Sequence, residues 1–175
     1  MADDLGKANQ VLSLKEIAEY HEDAVSSLRF YFFNADRFIG DPETKRSEEL
    51  KLRIDETSLR SILITLASLE ASFKLDYLYR CQKRLKDELS RAFRDLYKVK
   101  QDHIALDEDI FEAWRAHVAE SKTLISELRA AFRLRDWLAH GRYWQPRLGR
   151  NFDFDFVYDL AAAVAEEFFD TSEVA

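Results

Sequence analysis

Four glycines and two prolines in 175 residues constrain this chain more than any other feature. Tight reversals draw on glycine for positive φ and on proline for a preset corner, and a sheet protein needs many of them. This chain lacks that material, so its apolar residues are expected on helices. Hydrophobic residues at 47% and charged residues at 34% give a globular balance rather than the apolar-poor profile of disorder. A chain of this length fills one ordinary core. The expectation is an all-α fold in a single helical domain over 1–175.

Capping and periodicity place the elements. Ser13 and Glu16 have the spacing of a capping box, with Leu12 and Ile17 as a hydrophobic staple, so a helix is expected from Leu14 to about Phe38. Asp41, Pro42 and Glu43 supply a cap, a preset first-turn residue and an acid at the positive end of the next helix. Leu59, Ile62, Leu63, Leu66, Leu69 and Phe73 recur at three- and four-residue steps, continuing through Leu75, Leu78 and Tyr79. They mark a long central helix, with a break near Thr57 as the alternative to one continuous run. Leu85, Leu89, Phe93, Leu96 and Tyr97 extend the period, as a separate helix or a continuation, to a stop before Gln101. Asp107 is expected to cap a short helix through Phe111, Trp114 and Val118, and Ser121 the next, which carries Leu124, Leu128, Phe132 and Leu138. After Gly141 an irregular passage with Pro146 and Gly149 leads to a last helix from about Asp155 to Phe169, and the tail from Thr171 reads as frayed.

Several functions are disfavoured. One cysteine, Cys81, allows no internal disulfide and no multi-cysteine zinc site, and it suits a reducing compartment. The start MADDLGKANQ has acids where a secretory signal carries basic residues. The most apolar runs, Ile62 to Ala67 and Leu160 to Ala165, are too short to span a membrane. A cytoplasmic location, no membrane partner, no metal and no cofactor are the resulting expectations. His21, Glu22 and Asp23 are adjacent and point different ways, which reads as a surface feature, and His103 and His117 have no neighbouring ligand at helical spacing.

Charge is uneven. Six arginines between Arg129 and Arg150 face the single acid Asp136, so this window carries +5 and the remainder −12 of a chain whose net charge is −7. Phosphate affinity comes chiefly from such clusters, although a solvated helix face is the plainer account of any charge run. Within the window stands Arg135-Asp136-Trp137-Leu138-Ala139-His140, followed by Gly141-Arg142-Tyr143-Trp144. Arginine with four residues before histidine, a polar residue after the arginine and a late position in a helical domain resemble the HEPN superfamily. The run through Trp144, the following Pro146, Leu148, Gly149 and Arg150, and the upstream Leu66-Ala67-Ser68-Leu69-Glu70 are similar to its group associated with ribosomal L-PSP. The resemblance covers roughly 58–169. That group often has histidine after the arginine, where this chain has Asp136.

The resemblance implies an antiparallel helical bundle with additional short helices. It also implies a metal-independent endoribonuclease that works as a homodimer with a composite cleft, in a toxin or antiviral-defence setting where an antitoxin or other regulatory protein is a further partner. Arg135, Asp136 and His140 are then the candidate catalytic residues. An imidazole can take the proton of a ribose 2′-hydroxyl as it attacks phosphorus, and a guanidinium can hold the non-bridging oxygens. Asp136, four residues before His140, is placed to orient the ring. Arg142, Tyr143, Arg147 and Arg150 are the candidate RNA-binding residues, by phosphate contact or base stacking, while Trp137 and Trp144 read as packing anchors. Glu70 reads as an exposed acid beside a buried stripe, with an approach to the cleft as the alternative. Arg135 and His140 differ by roughly 140° around a straight helix, so the pair needs a distorted helix end, the reach of the arginine or a second chain. The alternative function is a non-catalytic HEPN module that binds nucleotide, RNA or protein, or that dimerises.

Overall fold

A computed structural model of the chain describes residues 11–34, 38, 40 and 42–169. The described elements are all helical: α1 (Leu14–Phe33), α2 (Glu43–Lys83), α3 (Glu88–Lys100), a π-helical turn (Leu106–Phe111) running into α4 (Glu112–His117), α5 (Ser121–Ala139) and α6 (Phe154–Phe168). The 41-residue α2 is the axis, about 60 Å long at 1.5 Å per residue. It packs against α1, α3, α5, α6 and the π-helical turn. Around it α1 meets α6, α6 meets α5, α5 meets α4, and α4 meets α3. One buried cluster takes side chains from all of these elements.

Only the second part of α2 supplies core: Ser61, Ile62, Thr65, Leu66, Leu69, Phe73 and Tyr77 are buried, and nothing before Ser61 is. The charged first part carries ion pairs one turn apart, Glu49 to Arg53 and Glu56 to Arg60, of the kind that supports an exposed helix. Phe73 is the aromatic hub, with its ring edge-on to Phe111, Trp114, Phe168 and Phe169 at 5.0–6.4 Å.

The capping box forms as expected: Ser13 Oγ accepts the Glu16 N–H, and Glu16 Oε2 accepts the Ser13 N–H at 2.9 Å. Elsewhere several boundaries and caps depart from expectation or settle between its alternatives. α1 stops at Phe33 rather than about Phe38, because Asn34 turns extended. Asp41 and the tail from Thr171 lie outside the described residues. Pro42 sits at the N-cap instead of inside the first turn. α2 is unbroken at Thr57, whose hydroxyl donates to the Arg53 carbonyl at 2.8 Å and so satisfies itself within the helix. α3 is a separate helix, because Arg84 enters the left-handed region at φ 53° and Asp87 caps the new start by accepting the Ser90 N–H. Asp107 does not cap; it pairs with Arg129. The carboxylate of buried Asp109 instead accepts the Ala105 N–H at 2.9 Å and Lys100 Nζ at 2.6 Å. Ser121 is buried and donates to the Trp114 and Val118 carbonyls, tying α4 to α5 rather than capping. α6 starts one residue early, at Phe154, capped by Asp153.

His21 is also not a simple surface residue. Its Nδ1 shares a hydrogen bond of 2.9 Å with the Ser61 hydroxyl, and its ring stacks on Phe154 at 3.9 Å, so it joins α1, α2 and α6. Burial pushes its pKa below the ordinary value, against the opposing pull of Asp155. A histidine depressed in the folded state stabilises the fold fully above its unfolded pKa. That stability is lost as pH falls through about 6.5, where the unfolded chain takes up the proton first. Denaturant unfolding at pH 7.5 and 5.5 is therefore expected to show a loss of stability on acidification that His21→Gln reduces. Equal pH dependence in both proteins would remove this role.

Candidate functional site

The C-terminus of α5 presents the motif, and Gly141 makes the geometry possible. With His140 as the last cap residue, the Gly141 N–H donates to Leu138 O and the Arg142 N–H to Trp137 O at 3.1 Å, the paired bonds of a Schellman stop. Gly141 has φ 83°, and a Cβ there would meet nothing within 4 Å, so the need for glycine is conformational alone. Gly141→Ala is expected to cost about 1 kcal/mol from the left-handed backbone, measurable as a shift in the urea midpoint. A neutral result would show that the stop tolerates a side chain.

His140 is exposed at this stop. Its Nδ1 lies 2.7 Å from the backbone carbonyl oxygen of Asp136. A carbonyl only accepts, so the proton is on Nδ1 and, in the neutral ring, Nε2 keeps its lone pair. The group of Asp136 that meets the ring is its main-chain carbonyl. Its carboxylate faces the other way, 3.2 Å from Arg135 Nη1.

Arg135 points to α2. Its Nη2 donates to Glu70, its guanidinium lies 5.1 Å over the Phe132 ring, and its Nε is buried without a hydrogen-bond partner among the described residues. Arg142 makes a two-pronged pair with Glu56, Nη1 to Oε2 at 2.7 Å and Nη2 to Oε1 at 3.1 Å, and its guanidinium lies over Trp137. This pair holds the Arg142 pKa above and the Glu56 pKa below their ordinary values, with hydrogen bonding the largest favourable cause in each. It also holds Arg142 at φ 60°, a backbone that costs a non-glycine residue about 1 kcal/mol or more. Arg142, just past the end of α5, meets the earlier α2 acid Glu56, and Arg135 within α5 meets the later Glu70, so α2 and α5 run antiparallel.

The structure therefore redistributes the basic window. Arg129 is held by Asp107 and Glu112, Arg135 by Glu70 and Asp136, and Arg142 by Glu56. Arg133 and Arg147 are exposed with no ion pair among the described residues. Arg150 stacks over Phe156 at 3.6 Å and borders a shallow groove of about 470 Å³ between α5 and α6. Tyr143 is 83% exposed, edge-on to Trp144 at 4.6 Å. Trp144 in turn lies 6.3 Å from the His140 ring, while half-buried Trp137 donates its indole N–H to the Trp144 carbonyl. His140, Tyr143 and Trp144 thus form one exposed group, whereas Arg135 and Arg142 face the acids of α2.

Glu56 is a site residue that the sequence did not point to, and Glu70 is one whose approach to the cleft was only the alternative reading. Both lie on α2, 65 and 86 residues from their arginines, and only the fold brings them near. Among the described residues no group of three or more His, Cys, Asp or Glu side chains is placed to hold a metal ion, and no helix is long and apolar enough to cross a membrane. No family model, curated protein or solved structure matches this chain.

Proposed function

We propose that this protein is a metal-independent endoribonuclease of the HEPN type. The observation that carries the reading is the state of His140: an exposed imidazole with Nδ1–H anchored to a helix-end carbonyl and Nε2 free to act as a base. Nε2 takes the proton of a ribose 2′-hydroxyl, the 2′-oxygen bonds to the adjacent phosphorus, and the bond to the 5′-oxygen breaks. The products are a 2′,3′-cyclic phosphate and a 5′-hydroxyl. The leaving oxygen needs a proton, which a second histidine in its imidazolium form supplies when two copies of the motif face each other in a homodimer. Tyr143, exposed beside His140, offers a ring for an unstacked base. Arg133, Arg147 and Arg150 are the cations of the window without an acid partner among the described residues, and they suit backbone phosphates. An antitoxin-like regulatory partner, a defence role and a cytoplasmic location belong to the same proposal. The test is end-mapping of labelled RNA incubated with wild-type and His140→Ala protein in EDTA.

A second reading, a non-catalytic module that binds RNA, nucleotide or protein, draws on one observation. Arg135 and Arg142 are neutralised by Glu70, Asp136 and Glu56, which leaves neither guanidinium carrying an uncompensated charge. Binding of RNA by both proteins with cleavage by neither would favour it.

A further inference from the structure

Glu70 stands at the centre of a four-charge cluster joining α2 to α5. One of its carboxylate oxygens accepts from Arg135 Nη2 and the other from Lys74 Nζ at 2.7 Å. Asp136 completes the cluster from the far side of Arg135 at 3.2 Å. Two cations from different helices thus converge on one carboxylate, each taking one oxygen. This is the arrangement in which a guanidinium and an ammonium share a phosphate, whose non-bridging oxygens offer the same paired acceptors. The cluster is reachable: the Lys74 side chain is 45% exposed, and those of Glu70 and Arg135 about a quarter. The Arg80–Asp76 pair farther along α2 is more deeply closed and sits against Trp114 and Ser90. Arg135 also keeps a buried Nε–H with no partner among the described residues, a donor that its two carboxylates leave unused.

We infer that Arg135 and Lys74 form a phosphate site and that Glu70 is its resident occupant, an internal competitor that an incoming phosphate must displace. That the phosphate belongs to an RNA backbone rests on the nuclease reading above; the site itself rests on the cluster. With Glu70 ionised the four groups sum to zero charge, so an anion gains little on approach. Neutralising Glu70 leaves the cluster of Arg135, Lys74 and Asp136 at +1. Lys74 becomes a binding residue absent from the motif, and Glu70 sets how readily Arg135 is released.

The test is calorimetric titration of the full chain with inorganic phosphate at constant ionic strength, comparing wild type, Glu70→Gln, Glu70→Gln with Lys74→Ala, and Glu56→Gln. Glu56→Gln removes the same charge from the neighbouring Glu56–Arg142 pair and reports any general electrostatic gain. Glu70→Gln is expected to bind phosphate about tenfold more tightly than wild type, the order expected for removing one charge a few ångströms from the anion. That gain should disappear with Lys74→Ala and be absent in Glu56→Gln. No gain in Glu70→Gln, a gain that survives loss of Lys74, or an equal gain in Glu56→Gln overturns the inference. If Glu70→Gln does not melt cooperatively, Glu70→Asp, which withdraws the carboxylate by one methylene, is expected to tighten binding about threefold by the same argument. RNA cleavage is scored separately. Tighter phosphate binding with no cleavage by any variant keeps the site and removes the nuclease reading, and cleavage without the gain does the reverse.

Discussion

His140→Ala is expected to abolish RNA cleavage while leaving the fold intact. Removing a positioned acid–base group costs about 10²- to 10⁴-fold in rate, and in a symmetric pair of sites each copy loses its imidazole at once. The structural cost is small for a specific reason. The Asp136 carbonyl that accepts from His140 Nδ1 also accepts the His140 backbone N–H at 3.0 Å, so it stays satisfied when the ring is gone. The ring itself is exposed, so the stability change should lie within about 0.5 kcal/mol. Cyclic-phosphate ends in EDTA from wild type, with none from the variant at equal thermal stability, would assign the base. Undiminished cutting by the variant would remove His140 from the mechanism, and no cutting by either protein across single-stranded and structured RNA would favour the binding module.

Phe73→Ala is expected to be the most damaging single truncation in the core, at about 3–5 kcal/mol. Phe73 has no exposed surface, and its edge contacts reach the π-helical turn, α4 and the end of α6 from one position on α2. Its removal opens a cavity that no single neighbour can close, because the rings lining it belong to three other elements. Against a total of about 5–15 kcal/mol for an ordinary domain, such a loss brings the chain close to unfolding. Urea titration followed by far-UV circular dichroism measures it, and Phe73→Leu should recover more than half of the loss. A cost below about 1 kcal/mol would mean that the aromatic cluster is not the hub described.

The helices were largely legible in the sequence because their signals are local. The stripe from Leu59 to Phe73 appears within one helix, and the Ser13–Glu16 box closes over three residues. The errors fall where a local cue competes with a distant partner. Asp107 and Ser121 have the residue type of caps, yet Asp107 is drawn to Arg129 and Ser121 to the Trp114 and Val118 carbonyls. His21 reads as surface because the residues beside it are charged, but Ser61 and Phe154 are 40 and more than 100 positions away.

The same division runs through the candidate site. Sequence alone determined the all-helical class, the Gly141 stop and the position of His140 at it, since backbone conformation and capping depend on residues a turn apart. It also placed Arg135 and Asp136 in the turn before that stop. Only the tertiary structure decided which of these groups are available. Arg135 and Arg142 meet Glu70 and Glu56 because α2 and α5 pack antiparallel, and the Asp136 carboxylate turns to Arg135 while its carbonyl holds the imidazole. A charge count along the chain cannot see this. Electrostatic energy depends on distance in space, and Glu70 and Glu56, which meet Arg135 and Arg142, lie 65 and 86 residues away in the chain.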